Sequence, residues 1–220
     1  LTNAYEQCLD IIRYKETDMV LFQSTGSTTS TPHSEADGPM SGTDYMAHHN
    51  LRGSACGYVF RKAILHDLRF REGTLHEDEE FTPQLMLRAE NVYSTEGKAY
   101  HYRVRKDSIT HKTDKRWRMR RLMDAEQVIY RLKNKADHLP VSERIAMERR
   151  IAQLTMDYIY NVIRMTHDAT HLDRVLQRLT KHDLFPLPDK HYTKKYQCFR
   201  MLVNTAMGRR ILMLALRIKG

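Results

Sequence analysis

The chain has 220 residues, with 36 Lys and Arg against 27 Asp and Glu and a net charge of +9, enough length for one sizeable core or a mid-sized domain with a helical extension. No run approaches the roughly 18 uninterrupted apolar residues that a membrane-spanning helix needs. Cys8, Cys56 and Cys198 are far apart with no Cys-x-x-Cys spacing, which argues for reduced thiols and against a disulfide scaffold or zinc site.

In chain order, residues 4–16 read as a helix with Tyr5, Cys8, Leu9 and Ile12 on one face. Met19 to Phe22 is an apolar run bounded by polar residues, predicting a buried strand. Gln23 to Pro39 is rich in Ser, Thr, Gly and Pro without apolar period, and is expected to be a loop or long polar hairpin. A short helix is predicted over Thr43–Asn50, a buried strand over Cys56–Phe60, and a helical turn over Lys62–Leu68 with Phe70 as an apolar anchor behind it.

A helix is expected from Phe81 to Ala89, with acidic residues at its start. Asn91–Ser94 and Ala99–Val104 alternate as strands, with Glu96-Gly97-Lys98 as the turn between them. Mixed strands and helices make residues 1–112 an α/β module.

After Thr113 the pattern becomes long helices. One is predicted over Asp114–Asp137, ending before Pro140. Ser142 with Glu143 is expected to cap the next, whose core stripe is Ile151, Leu154, Tyr158 and Val162. A third spans about His171–His182, lined by Leu172, Val175 and Leu179. Phe185-Pro186-Leu187-Pro188 is a rigid connector, and a last helix from Tyr192 to Lys219 is expected to break at Gly208. Residues 113–220 thus read as an all-α helical module.

Charge divides along the same line. Residues 112–220 hold 24 Lys and Arg against 11 Asp and Glu, whereas residues 1–111 hold 12 against 16. A basic second half favours phosphate-bearing partners, whether nucleic acid, anionic lipid or a nucleotide diphosphate.

The acidic cluster Glu77-Asp78-Glu79-Glu80 has two readings. Carboxylates in a first helical turn suit the macrodipole, so the plain one is a solvated helix start. The functional one is a carboxylate facing a cleft, where it accepts a proton from an attacking hydroxyl. Mutual repulsion raises the pKa of the least solvated member and suits that task. Adjacent His48 and His49 cannot share one helical face toward an ion, and no phosphate-binding glycine loop or nucleophile elbow occurs.

The order Gly57-Tyr58-Val59-Phe60-Arg61-Lys62, Leu68-Arg69-Phe70, Glu77-Asp78-Glu79-Glu80-Phe81, Tyr100-His101-Tyr102-Arg103 and Ser108-Ile109-Thr110 resembles the C-terminal half of a family 2 glycosyltransferase of GT-A fold. The likeness covers about residues 1–112. It implies an inverting sugar transfer from a nucleotide-diphosphate sugar to a glycan or lipid-linked acceptor. Asp78 is then the catalytic base, and Glu77 orients it or the acceptor. The same resemblance puts Tyr102, Arg103, Arg105 and Ser108 beside the donor diphosphate and makes His111 a candidate metal ligand.

The family's nucleotide-binding half, with the acidic strand that holds Mg²⁺ or Mn²⁺, does not precede these motifs. Leu1-Thr2-Asn3-Ala4-Tyr5 looks like residues that follow it. Without an initiator Met, the chain is expected to be a piece of a longer protein that is inactive alone. Leu1–Asp10 has neither the basic lead nor the apolar block of a signal peptide, so a cytoplasmic location is expected.

In the basic half, Lys115-Arg116-Trp117-Arg118-Met119-Arg120-Arg121 reads as an exposed helix face anchored by its Trp. Residues 207–219 are apolar with basic flanks and too short to span a bilayer, which fits burial or peripheral contact with anionic lipid at the inner membrane face. The competing class of function is a non-catalytic basic module that binds nucleic acid or a partner protein. No nucleic-acid motif appears and the basic residues are scattered rather than striped, so nucleic acid is not the expected partner.

Overall fold

A computed structural model describes residues 4–27, 35–103 and 114–218. It is mixed α/β, a four-stranded sheet with flanking helices followed by several helices. The chain divides into two compact units, residues 1–112 with 140–146, and residues 113–139 with 147–220.

The first unit opens with α1 (Ala4–Tyr14) and β1 (Met19–Thr25). The core face of α1 carries Cys8 and Ile11, with Ile12 partly buried, whereas Leu9 is exposed; Ile11 takes the place expected for Leu9. These side chains pack with Val20, Phe22, Tyr93 and Ala99 on one face of the sheet. Burial pushes the Cys8 thiol up to about 11, so this free cysteine is an inert core group.

The segment Gln23–Pro39, expected to be a loop or long polar hairpin, carries strand at both of its ends. Strand β1 continues to Thr25, and Ala36–Met40 forms an edge strand, β2. Next come α2 (Gly42–His48), capped by the Ser41 hydroxyl on the Asp44 amide, then β3 (Tyr58–Phe60) and a 3-10 turn at Lys62–Leu65. Helix α3 is Glu77–Met86, starting four residues earlier than expected and ending three earlier.

Val92–His101 is one strand, β4, and not the expected hairpin. Its partners hold it on both sides: the sheet order is β2-β4-β1-β3, with β1 and β4 parallel and both edges antiparallel. Leu21 pairs with Ser94 but Gln23 with Lys98 and Ser24 with Tyr100. Glu96-Gly97-Lys98 is therefore the extra length of a bulge, with the Gly97 amide bonded to the Thr95 hydroxyl at 3.1 Å.

The second unit is helical: α4 (Lys115–Ala136), the greater part of α5 (Val141–Thr166), α6 (Ala169–Lys181), α7 (Lys194–Val203) and α8 (Ala206–Ile218). Asp114, Asp168 and Thr193 cap α4, α6 and α7 through their side chains. Ser142 lies inside α5, which begins at Val141 with the Arg144 amide on the Pro140 carbonyl, so the expected cap is two residues too late. Helix α5 is buried nearly all round, with Ala152, Thr155, Met156, Ile159 and Ile163 joining the expected Ile151, Tyr158 and Val162, while Leu154 is only half-buried.

The last segment breaks at Asn204 and Thr205, not at Gly208. Gly208 lies inside α8 where a Cβ would sit 2.1 Å from the Leu202 carbonyl oxygen. Its lack of a side chain lets two consecutive helices meet in a tight turn.

Candidate functional site

The ends of the strands decide where the acidic cluster lies. The Asp18 carboxylate accepts the Glu90 and Asn91 amides at 2.9 and 3.0 Å, and the Arg61 amide bonds to the Asp18 carbonyl. The loop after α3 and the end of β3 are thus pinned to the amino end of β1. Helix α3 carries the acidic cluster in its first turn and ends at the pinned loop, so its first two turns lie away from that anchor.

Several segments converge there. The Phe22 amide bonds to the Gly57 carbonyl at 3.0 Å, and Arg52 reaches the Gln23 side chain at 2.7 Å. The Thr82 hydroxyl donates to the Gly53 carbonyl at 2.6 Å, which leaves the Tyr58 hydroxyl to donate to Thr82 Oγ1 at 3.0 Å. This relay ties the loop before β3 to the second turn of α3. Burial first, with help from the neighbouring Asp78 charge, raises the Tyr58 phenol to about 12.

Asp78 is half-buried, with one carboxylate oxygen accepting the Glu79 amide at 2.9 Å. Loss of water raises its pKa to about 6, assisted by the charges of Glu79 and Glu77. Glu77 is also half-buried, whereas Glu80 is buried with Arg71 at 3.5 Å. Phe81 is in the core, and Phe70 stacks on it with ring centroids 4.0 Å apart, the anchoring expected of it. His76, immediately before the helix, is left-handed with φ of 65°. Within the cluster Glu77, Asp78 and Glu79 are half-buried and Glu80 is buried.

Tyr102 and Arg103 lie just past the end of β4, both exposed, with the Tyr102 amide on the Thr25 carbonyl at 2.9 Å. Among the described residues no hydrogen bond or ion pair joins them to Asp78. Arg105, Ser108 and His111 lie outside the described residues. No group of three His, Cys, Asp or Glu side chains able to hold a metal occurs among the described residues.

Tyr58 and Thr82 are the site residues that sequence reasoning missed in this role. Their link spans 24 residues, and neither has a spacing signal of its own. Compared with known proteins, the chain matches no family model, no curated protein and no solved structure.

Proposed function

We propose that the first unit is the C-terminal half of a GT-A-like domain and that the chain belongs to an inverting glycosyltransferase, with Asp78 as general base. One observation carries this reading: in the first turn of α3, near enough to Tyr58 of β3 for its charge to act on that phenol, a half-buried carboxylate has its pKa raised to about 6. A base of that pKa is mostly ionised at neutral pH and still basic enough to take a proton in the transition state.

In this mechanism the acceptor hydroxyl attacks the anomeric carbon of a nucleotide-diphosphate sugar while its proton passes to an Asp78 carboxylate oxygen. The bond from that carbon to the diphosphate oxygen breaks on the opposite face, and the configuration inverts. Tyr58 and Thr82 act as positioning residues that hold the loop before β3 against α3. Arg103, with Arg105 and Ser108, is assigned to the departing diphosphate, since guanidinium pairs with phosphate bidentately. The resemblance assigns the ligands for Mg²⁺ or Mn²⁺ to the family's nucleotide-binding half, and no step here runs through the ion.

The acceptor in this reading is a glycan or lipid-linked sugar at the inner face of a membrane. No helix among the described residues is long and apolar enough to cross a bilayer. Peripheral contact is assigned to α8, where Met207, Ile211 and Leu214 are 75, 47 and 65% exposed at i, i+4 and i+7, beside exposed Arg210 and Arg217.

The test is nucleoside diphosphate release from a panel of nucleotide sugars with Mn²⁺, using the longest native form of the chain and its Asp78→Asn variant. Release from one donor that the substitution abolishes is the expected result. No release from any donor by a folded protein would overturn the reading in favour of a basic binding module.

A further inference from the structure

A second candidate site lies wholly within the helical unit. Lys115, Arg118, Met119 and Leu122 fall at i, i+3, i+4 and i+7, one face of α4. With Met165 and Thr166 from the end of α5 and Asp168 and His171 from the start of α6, they line a cavity of about 490 Å³. Leu122 is buried and Met119 and Met165 are half-buried, making an apolar floor. Lys115 and Arg118 are exposed at the rim, and neither makes an ion pair among the described residues.

The facing charges decide what the rim accepts. The acid that faces it is Asp168, whose Oδ1 already accepts the His171 amide at 3.0 Å as the cap of α6. The Thr166 hydroxyl is likewise occupied, donating to the Val162 carbonyl at 2.8 Å. Two exposed cations over a methionine- and leucine-lined floor suit a small anion carried on an apolar body. Two cations can share the oxygens of one phosphate, and the thioether floor adapts to irregular apolar shapes.

We propose that this cavity binds a phosphate monoester amphiphile, with Lys115 and Arg118 on the phosphate and Met119, Leu122 and Met165 under the apolar body. The inference stands apart from the assignment of Asp78, because neither its residues nor its test involve sugar transfer.

Trp117, the chain's one tryptophan, lies between the two cations in α4 and serves as a reporter. The experiment titrates the protein with monomeric dihexanoyl phosphatidic acid and with inorganic phosphate, following Trp117 fluorescence and calorimetric heat. Saturable binding of the phosphatidic acid, at least tenfold tighter than of phosphate alone, is expected. Lys115→Gln with Arg118→Gln, both at exposed positions, is expected to weaken it at least tenfold, and Met119→Gln to narrow the gap between the two ligands. The proposal falls if neither signal shows saturable binding, if the double substitution leaves the affinity unchanged, or if inorganic phosphate binds as tightly as the amphiphile.

Discussion

Arg178 on α6 donates from Nε and Nη2 to the two carboxylate oxygens of Glu126 on α4, each at 2.8 Å. Glu126 is 6% exposed and also accepts the Tyr130 hydroxyl at 2.6 Å and the Tyr158 hydroxyl at 2.8 Å. The pair therefore joins α4, α5 and α6 through one buried charge. Burial alone pushes the Glu126 carboxyl up, but the bonds from Arg178, Tyr130 and Tyr158 outweigh it and hold the pKa below the usual glutamate value. Both tyrosines are driven upward, by burial first and then by the hydrogen bond to Glu126 and its charge.

Removing one partner should cost much more than removing both. Arg178→Ala leaves a buried carboxylate with only two neutral donors and is expected to destabilise the helical unit by about 3 kcal/mol. Glu126→Leu combined with Arg178→Leu should recover most of that loss. Chemical denaturation of the three proteins checks it; a single substitution no worse than the double one would show that the pair is weakly coupled.

The sign of the pH effect follows from the depressed Glu126 pKa. Its contribution to stability is present above the ordinary glutamate value of 4.5 and is lost as pH falls through the folded value. Denaturation midpoints between pH 7 and pH 3 should fall more steeply for the native chain than for the double-leucine variant.

Asp78 shifts the other way, because its folded pKa of about 6 lies above the ordinary 3.8. The ionised form is the one the fold disfavours, so the group weakens the fold as pH rises through 6 and is without effect below about 4. Asp78→Asn is expected to stabilise the protein at pH 7 by about 1–2 kcal/mol after screening by solvent, with the gain vanishing near pH 4. Thermal denaturation at the two pH values measures it.

Turnover has the opposite dependence on that carboxylate. Under the proposed mechanism Asp78 must be ionised to act as general base, so kcat/KM is expected to rise about tenfold per pH unit below 6 and to level off above it. Asp78→Asn should lower turnover by about 10²–10⁴-fold. A substitution that stabilises the fold and abolishes the reaction would separate a catalytic carboxylate from an ordinary helix-start acid.

Gly42 controls how the site helix is seated. A Cβ there would lie 1.8 Å from the Met86 carbonyl oxygen, while the Gly42 amide bonds to the Ala89 carbonyl at 2.8 Å. Gly42→Ala is expected to destabilise the first unit by about 3 kcal/mol or more, since backbone must move. Urea unfolding followed by circular dichroism gives the value.

Contact of α8 with membrane is open to a direct measurement. Sedimentation with vesicles containing anionic lipid should retain the protein, and neutral vesicles should not. Ile211→Asp with Leu214→Asp should release it, and binding should weaken as salt is raised. Equal binding to neutral vesicles would remove the charge argument.

Local order was legible where neighbours in sequence decide it. The apolar run at Met19, the alternation of β4 and the periodicity of the long helices each carry a signal within a few residues. The acids of α3 were visible for the same reason, since the helix macrodipole favours them where they stand. The turn read at Glu96-Gly97-Lys98 failed because strands on both sides of β4 hold it extended, and the extra residues became a bulge. Ile11, not Leu9, faces the core because the sheet beneath α1 sets the rotation of that helix.

The sequence by itself determined a mixed α/β first half, a basic helical second half and an acidic helix start. Tertiary structure alone decided how far each of the four adjacent acids is buried, that Tyr58 and Thr82 bind the loop before β3 to α3, and that one buried charge joins three helices. Those features depend on burial and on pairings 24 to 52 residues apart. Such contacts arise only when the sheet and the helices pack, because desolvation is a property of the surroundings and not of the residue.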